Sequence, residues 1–371
     1  MKILIIVYSN IVRDARVLKQ LSWLNNHKIT LLSFGKLNDQ QIKHISIEDN
    51  FPFHIKLIGC ILLKLKLYLL YYWLLPVNRL AFNKLQNTEY DLIIANDIYT
   101  LPLAIRIQNK AKLLYDAHEY YPREHDNNKQ WMFFFHDYMN YLTQRYAPKA
   151  DIMLTIGQAI ANEYHKHFKL NPNVIMNMPQ YSDIEISNND KPLIRMVHHG
   201  VALPGRNIEL MIEVVKLLGH RYSLDFYLLA RNEAYLAGLK DLTSEIDNIH
   251  IHDPLDIDQI IPVLNTYDVG FYFLKSDSFN DIYCLPNKLF DFIQARLAVI
   301  IGPSPEMKRI VEQYECGFAT SNFEVEQIVK EIRSLTKADI QRFKENAHIA
   351  AQELNAETSK KIFLSLIEGL K

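Results

Sequence analysis

Leu285-Pro286-Asn287-Lys288-Leu289-Phe290-Asp291-Phe292-Ile293, followed by Ala298-Val299-Ile300-Ile301, reads as a loop feeding a helix and then a buried strand. Leu285, Leu289, Phe292 and Ile293 recur at helical spacing, Pro286 suits a first turn, and Asp291 sits where an early carboxylate is tolerated. The helix is predicted to begin near Pro286. Its unpaired backbone N–H groups, with Lys288 beside them, make a phosphate cradle, because a helix start offers free donors and a partial positive charge.

Outward from this stretch, apolar runs of strand length alternate with helical patterns, the signature of repeated β/α units around parallel sheets. The predicted fold class is therefore α/β. In the first half strands are predicted at 2–8, 28–34, 92–96, 112–116 and 151–156, with helices such as 14–26 and 99–109 between them. After a polar stretch at 180–192 a second series follows, with strands at 194–199, 224–229, 248–252, 268–273 and 298–301. With 371 residues the chain exceeds what one core usually fills, so two domains are expected, 1–185 and 186–338. A helical segment at 339–371 is expected to pack back on the first. Two doubly wound, Rossmann-like domains place their ligand crevices at the carboxyl ends of their strands. If those ends face each other across a cleft, the cleft is the active site. Neither half carries G-x-G-x-x-G after its first strand, and there is no Walker loop, so a dinucleotide cofactor is not supported.

Composition narrows the partners. There are 41 basic and 42 acidic side chains, leaving a formal net charge of -1, which suggests no nucleic-acid partner. Cys60, Cys284 and Cys316 are odd in number and widely spaced, so reduced thiols in a cytosolic compartment are expected, without a disulfide or zinc site. Met1 to Tyr8 reads as a buried first strand rather than a signal peptide, so the protein is not expected to be exported.

Polar clusters mark the predicted strand ends. Ser9-Asn10-Ile11-Val12-Arg13-Asp14-Ala15-Arg16-Val17 is a polar turn entering a helix. Asp14 suits either an N-cap or, with Asn10, Arg13 or Arg16, the expected cleft. Asp116-Ala117-His118-Glu119-Tyr120-Tyr121 packs titratable groups at another strand terminus, with His118 a candidate for holding donor or acceptor and Asp116 for orienting the loop. Asn96-Asp97 closes the preceding strand in the same manner, and Asp97 reads best as a helix N-cap. In the second half, Ile194 to His199 runs into Gly200-Val201-Ala202-Leu203-Pro204-Gly205-Arg206-Asn207. Gly200 and Gly205 leave room for a ligand, and Arg206 is either a solvated surface residue or a bidentate fork for a diphosphate. His198 and His199 lack a second pair of ligands, so no metal is expected.

Residues 56–84 are compositionally odd. From Phe51 to Thr88 there is no acid, and Lys56, Lys64, Lys66, Arg79 and Lys84 flank apolar and aromatic residues. That composition suits docking on an anionic membrane surface, or else an unusually greasy packed helix; Lys64 and Lys66 disfavour a spanning segment. Trp131-Met132-Phe133-Phe134-Phe135, with Tyr138 and Tyr141, extends the same surface or fills the core.

In order and spacing, these pieces resemble the retaining GT-B glycosyltransferases of family 4, particularly bacterial members that build surface polysaccharides. The resemblance rests on Arg13-Asp14-Ala15-Arg16-Val17, Tyr115-Asp116-Ala117-His118-Glu119, Ala150-Asp151-Ile152-Met153-Leu154-Thr155, Gly205-Arg206-Asn207, Tyr267-Asp268-Val269-Gly270 and Leu285 to Asp291, and covers nearly the whole chain. It implies transfer of a sugar from a nucleotide-diphosphate donor, UDP-sugar being the commonest, to a lipid-linked or growing glycan, without a metal. The donor side would comprise Gly200, Gly205, Arg206, Asn207, Arg231, Tyr283, Pro286, Asn287, Lys288 and Asp291. Arg206 and Lys288 would stabilise the leaving diphosphate, and His118 would hold the donor sugar or phosphate. Asn10, Arg13, Asp14, Asp97, Asp116, His118 and Glu119 would line the acceptor side. The implied location is the cytoplasm, peripherally on the inner face of the cytoplasmic membrane.

This chain departs from the family's pattern. Where the family has two glutamates eight positions apart, Tyr283 takes the first position and Asp291 the second, and tyrosine cannot replace a carboxylate on the sugar. Sugar identity and retention are thereby left open. A usual glycine is Arg296, and a usual basic residue after Arg206 is Ile212, a charge that Lys288 or Arg231 would have to supply. The alternatives are a non-hydrolysing nucleotide-sugar epimerase and a catalytically inactive glycosyltransferase-like assembly partner.

Overall fold

A computed structural model of the chain describes residues 1–48, 52–187 and 192–370. Phe51, part of the polar stretch 180–192 and Lys371 lie outside the described residues. The chain divides into two compact units, one comprising Met1–Met176, Ser278–Asn280 and Lys360–Lys371, the other Asn177–Asp277 and Asp281–Ser359.

In the first unit the strands are β1 (Lys2–Asn10), β2 (Lys28–Phe34), β3 (Lys43–Ser46), β4 (Leu92–Asn96), β5 (Lys112–Ala117), β6 (Ile152–Thr155) and β7 (Asn173–Val174). The helices are α1 (Ala15–Trp23), α2 (Phe53–Lys64), α3 (Tyr68–Leu74), α4 (Pro76–Leu85), α5 (Leu101–Ile107), α6 (Lys129–Tyr146) and α7 (Gln158–Phe168). Among the described residues the strands form one parallel sheet in the order β3-β2-β1-β4-β5-β6-β7. Ile3 of β1 pairs with Ile29 on one side and Leu92 on the other, and Ile3 to Val7 are wholly buried, as a strand covered on both faces requires. Strand order reverses beside β1, and it is at such a switch point that doubly wound sheets hold ligands.

The second unit repeats the plan with β8 (Ile194–Ala202), β9 (Tyr222–Ala230), β10 (Ile249–His252), β11 (Val269–Tyr272), β12 (Ala298–Ile301) and β13 (Gly317–Ala319). Its parallel sheet runs β10-β9-β8-β11-β12-β13, with the switch between β8 and β11. With it go α8 (Ile208–Leu218), α9 (Glu233–Thr243), α10 (Ile260–Leu264), α12 (Asn287–Gln294), α13 (Pro305–Gln313), α14 (Val325–Arg333) and α15 (Lys337–Glu353), while α11 (Phe279–Ile282) and α16 (Ala356–Glu368) are divided between the units, Phe279–Asn280 and the residues from Lys360 onward belonging to the first. The side chains of Phe363 and Ile367 join the core of the first unit, where Phe363 meets Trp23 with ring centroids 5.3 Å apart.

The predicted helix near Pro286 is α12, with Pro286 as its N-cap. Three strands escape the sequence pattern. β3, β7 and β13 are short, lie at or beside a sheet edge and contain no fully buried residue, so no apolar run marks them. The segment 56–84 is three helices rather than one. Lys66 takes a left-handed φ of 56° between α2 and α3, and Pro76 opens α4, whose first turn needs no N–H from it.

Arg296 also has a left-handed backbone, with φ 61°, at the position where the resembled family has glycine. That geometry costs a non-glycine residue roughly 1–2 kcal/mol. The buried guanidinium offsets it by donating to Gln294 O at 2.6 Å, Ser182 O at 2.6 Å and His348 Nδ1 at 3.1 Å.

Candidate functional site

In the first unit a buried polar network gathers at the carboxyl ends of β4 and β5. Parallel register sets Asn96 beside Asp116, so their side chains share a face, and α1 brings Arg16 and Gln20 onto them. Arg16 grips Asp116 with two nitrogens, Nε to Oδ2 at 2.8 Å and Nη2 to Oδ1 at 2.6 Å, and spends Nη1 on Ile175 O. Gln20 Nε2 donates to Asp116 Oδ2 at 2.7 Å and to Asn96 Oδ1 at 3.0 Å. Burial alone would raise the Asp116 carboxyl, but the charges of Arg16 and His118 reverse this and hold it well below the usual carboxylate range.

His118 closes the network. Its Nε2 lies 3.2 Å from Asn96 Oδ1 and its Nδ1 3.2 Å from Asp97 Oδ1, with Asp116 Oδ2 3.6 Å away. Burial pushes the imidazole down, and the carboxylates of Asp97 and Asp116 outweigh it, so His118 titrates above its ordinary value. Both ring nitrogens face acceptor oxygens, which suits an imidazolium donating twice.

Asp97 was expected to cap a helix and does not. It takes a left-handed φ of 68°, Thr100 occupies the N-cap of α5, and the Asp97 carboxylate turns to His118 and accepts from the Tyr121 hydroxyl. Asp14 does cap α1, accepting from Val17 N at 3.0 Å and Ser9 Oγ at 2.5 Å. Asn10 caps the short turn Ile11–Arg13, and Arg13 is exposed. Glu119 lies 3.5 Å from Asn280 Nδ2. Gln20 was missed by sequence reasoning, although a polar residue at a buried helical position beside Val17 and Leu21 was its signal.

The second unit gathers positive charge at the end of β8. Gly200 has φ 132°, and a Cβ there would lie 2.6 Å from both Cε and Nζ of Lys288, so the lysine stem crosses the glycine backbone. The ammonium stands 5.3 Å from the Tyr272 ring centroid. Burial and the neighbouring Arg206 push Lys288 down to about 8, with Asp291 acting the other way. His198, buried and donating from Nδ1 to Phe271 O at 3.0 Å, is driven well below its ordinary value by burial and then by Lys288. Neither Arg206 nor Lys288 forms an ion pair among the described residues. No side chain caps the start of α12. Two cations and unclaimed backbone donors thus share one end of the sheet.

The other expected donor residues fall around this centre. Asp291 Oδ2 is 3.3 Å from His199 Nε2. Asn207, at φ 54°, is the N-cap of α8, and its Oδ1 accepts from Lys275 N at 2.6 Å. Gly205 is exposed with φ 87°, and Asn287 accepts from Asn177 Nδ2 at 3.2 Å. Tyr283 is partly exposed in the stretch before α12. Arg231 is exposed at the end of β9, and no hydrogen bond or ion pair among the described residues joins it to the others. No cluster of three or more potential metal ligands occurs among the described residues.

No family model and no curated protein matches the sequence. Solved structures do match along its length. HepE of Anabaena in complex with UDP has a TM-score of 0.73 at 14% identity, covering 100% of both chains. A glycosyltransferase from Rickettsia africae gives 0.69 at 14% identity, covering 100% of this chain and 98% of its own. A UDP-forming α,α-trehalose-phosphate synthase from Burkholderia vietnamiensis gives 0.68 at 9% identity over 100% of both. Two parallel α/β units with these switch points, matched end to end by such enzymes, show that the chain has the GT-B glycosyltransferase fold.

Proposed function

We propose that this chain is a glycosyltransferase that moves a sugar from a nucleotide-diphosphate donor, a UDP-sugar, to a lipid-linked or growing glycan acceptor in the synthesis of a bacterial surface polysaccharide. The observation that carries this reading is the pairing of Arg206 and Lys288 with the uncapped start of α12, where neither cation is ion-paired among the described residues. Structures with the same fold were solved with UDP and with UDP-glucose, which supports a uridine diphosphate donor. The diphosphate would lie on Arg206, Lys288 and the α12 amides, and Asp291 would take the ribose. Charge developing on the leaving diphosphate is what these groups stabilise, with no metal needed. His118 would present its positive edge to donor oxygens. Family 4 membership and retention are part of the same proposal. Tyr283 in place of the first carboxylate favours a second reading, in which the chain binds the donor but does not turn it over.

The membrane part of the proposal rests on α2. Leu57, Ile61 and Leu65 recur at helical spacing and are 61%, 54% and 63% exposed, and Phe53 extends the stripe one turn earlier. Lys56 is exposed on α2, and Arg79 and Lys84 are exposed on α4. Lys64 and Lys66 contribute less, since Lys64 Nζ donates to Phe133 O at 2.9 Å and Lys66 pairs with Asp137 at 3.1 Å. An exposed apolar stripe in a segment that carries exposed cations and no acid suits peripheral docking on an anionic lipid surface, as on the inner face of the cytoplasmic membrane. No helix among the described residues is long and apolar enough to cross a membrane. Incubating purified protein with UDP-sugars and membrane-extracted acceptor lipid, and following UDP release, tests the reading. Release that Arg206→Ala abolishes supports transfer, and UDP binding without release supports the second reading.

A further inference from the structure

The first unit holds a cavity of about 360 Å³ that the donor chemistry leaves unused. It is walled by rings. Tyr8 and Phe34, at the ends of β1 and β2, stack with centroids 5.9 Å apart and planes 10° apart, and Trp131 stacks on Phe135 of α6 at 6.4 Å and 25°. The only aliphatic side chains lining it among the described residues are Leu75 and Val77.

Two buried polar atoms of the residues in this wall have no hydrogen-bond partner among the described residues, the Tyr8 hydroxyl and Asn78 Oδ1. Asn78 is 1% exposed; its Nδ2 donates to Tyr72 O at 2.7 Å, while its Oδ1 has no hydrogen-bond partner. The Tyr72 hydroxyl is committed, donating to Tyr99 O at 2.9 Å and accepting from Leu103 N at 3.2 Å. A buried carbonyl oxygen without a donor is a standing cost that a ligand hydroxyl would remove. A chain of side-chain contacts links the cavity wall to the His118 network. Tyr99 lines the cavity and meets Tyr121 edge-on at 6.0 Å, and the Tyr121 hydroxyl donates to Asp97.

We infer that this cavity binds a pyranose ring, the sugar of the acceptor, with its C–H face on the stacked aromatic walls and a hydroxyl donating to Asn78 Oδ1. Flat rings with polar tips suit a molecule having one apolar face and a hydroxylated rim. An alkyl or prenyl chain would use the rings but would leave Asn78 Oδ1 unpaired. Calling the ring the acceptor's rests on the glycosyltransferase reading; the ring site itself does not.

Tryptophan fluorescence and saturation-transfer NMR of the full chain, titrated with methyl glucoside, methyl galactoside and methyl N-acetylglucosaminide, test it, with decanol as the apolar-chain probe. The expected result is saturable millimolar binding of at least one glycoside, weakened tenfold or more in Trp131→Ala and in Asn78→Leu, each variant keeping a cooperative thermal unfolding transition. Binding of decanol but of no glycoside, or glycoside binding that neither substitution alters, overturns it. Glycoside binding without UDP binding upholds the ring site and overturns the transferase reading. UDP binding without glycoside binding does the reverse.

Discussion

At the scale of single residues, Gly200 and Lys288 are the most informative pair. Any side chain at position 200 displaces the Lys288 ammonium and also occupies a φ of 132°, which only glycine adopts freely. Gly200→Ala is expected to weaken UDP binding about tenfold, roughly the loss of one charge-assisted hydrogen bond, measured by calorimetric titration. The free lysine titrates at about 8, and only its protonated form attracts diphosphate, so affinity should fall as pH rises through 8 and above. That fall should disappear in Lys288→Arg. Glu124 makes a second pH argument. Burial pushes its carboxyl up to about 7, while the Tyr99 hydroxyl donating to it works against that rise. A folded-state value above the unfolded one means the folded protein holds the proton more tightly, so this group's stabilising effect is present at low pH and is lost as pH rises towards 7. Glu124→Gln should therefore melt at the wild-type temperature below pH 4.5 and increasingly above it as pH rises through about 7.

At the scale of elements, Asp116 fastens α1 to β5 through Arg16 and Gln20. Removing one partner of a buried pair strands the other, so Asp116→Ala should lose about 3–5 kcal/mol in urea unfolding. The depressed Asp116 carboxyl acts in the opposite sense to Glu124, since its stabilising effect is present above the unfolded carboxylate range and is lost as pH falls below it. On α2 the exposed stripe makes a separable claim. Leu57→Glu/Ile61→Glu should leave the melting temperature unchanged and abolish sedimentation with anionic liposomes, whereas the same change at Leu63, only 4% exposed, would unfold the helix from its core. Long buried elements such as β1 and α12 were legible because a continuous or periodic apolar run announces them. The break at Lys66 was not legible, because a lysine in left-handed backbone leaves no compositional trace. Of the candidate site, the Arg206 and Lys288 loops were readable from glycine, proline and charge, and His118 from its crowded strand end. Its tie to Asn96, and the ties of Gln20 to Asn96 and Asp116, were not, since residues far apart in sequence meet there only once the sheet and α1 are assembled.

At the scale of the whole molecule, each unit repeats one plan, a parallel sheet that reverses order beside its first strand, β1 in one and β8 in the other. The two switch points carry different chemistry, an ion-paired carboxylate–histidine network at the first and, among the described residues, cations without an ion-pair partner at the second. Net charge near zero hides this division, because it is local rather than global. The cationic switch point is what the nucleotide-sugar reading stands on, and ligand binding there stabilises the fold by mass action. The most direct measurement is the thermal shift of the purified chain with UDP, for the wild type, Arg206→Ala and Lys288→Ala. The account expects UDP to raise the wild-type melting temperature and each substitution to cut the apparent affinity tenfold or more. No shift with UDP or any other nucleoside diphosphate, or a shift that survives both substitutions intact, would contradict it.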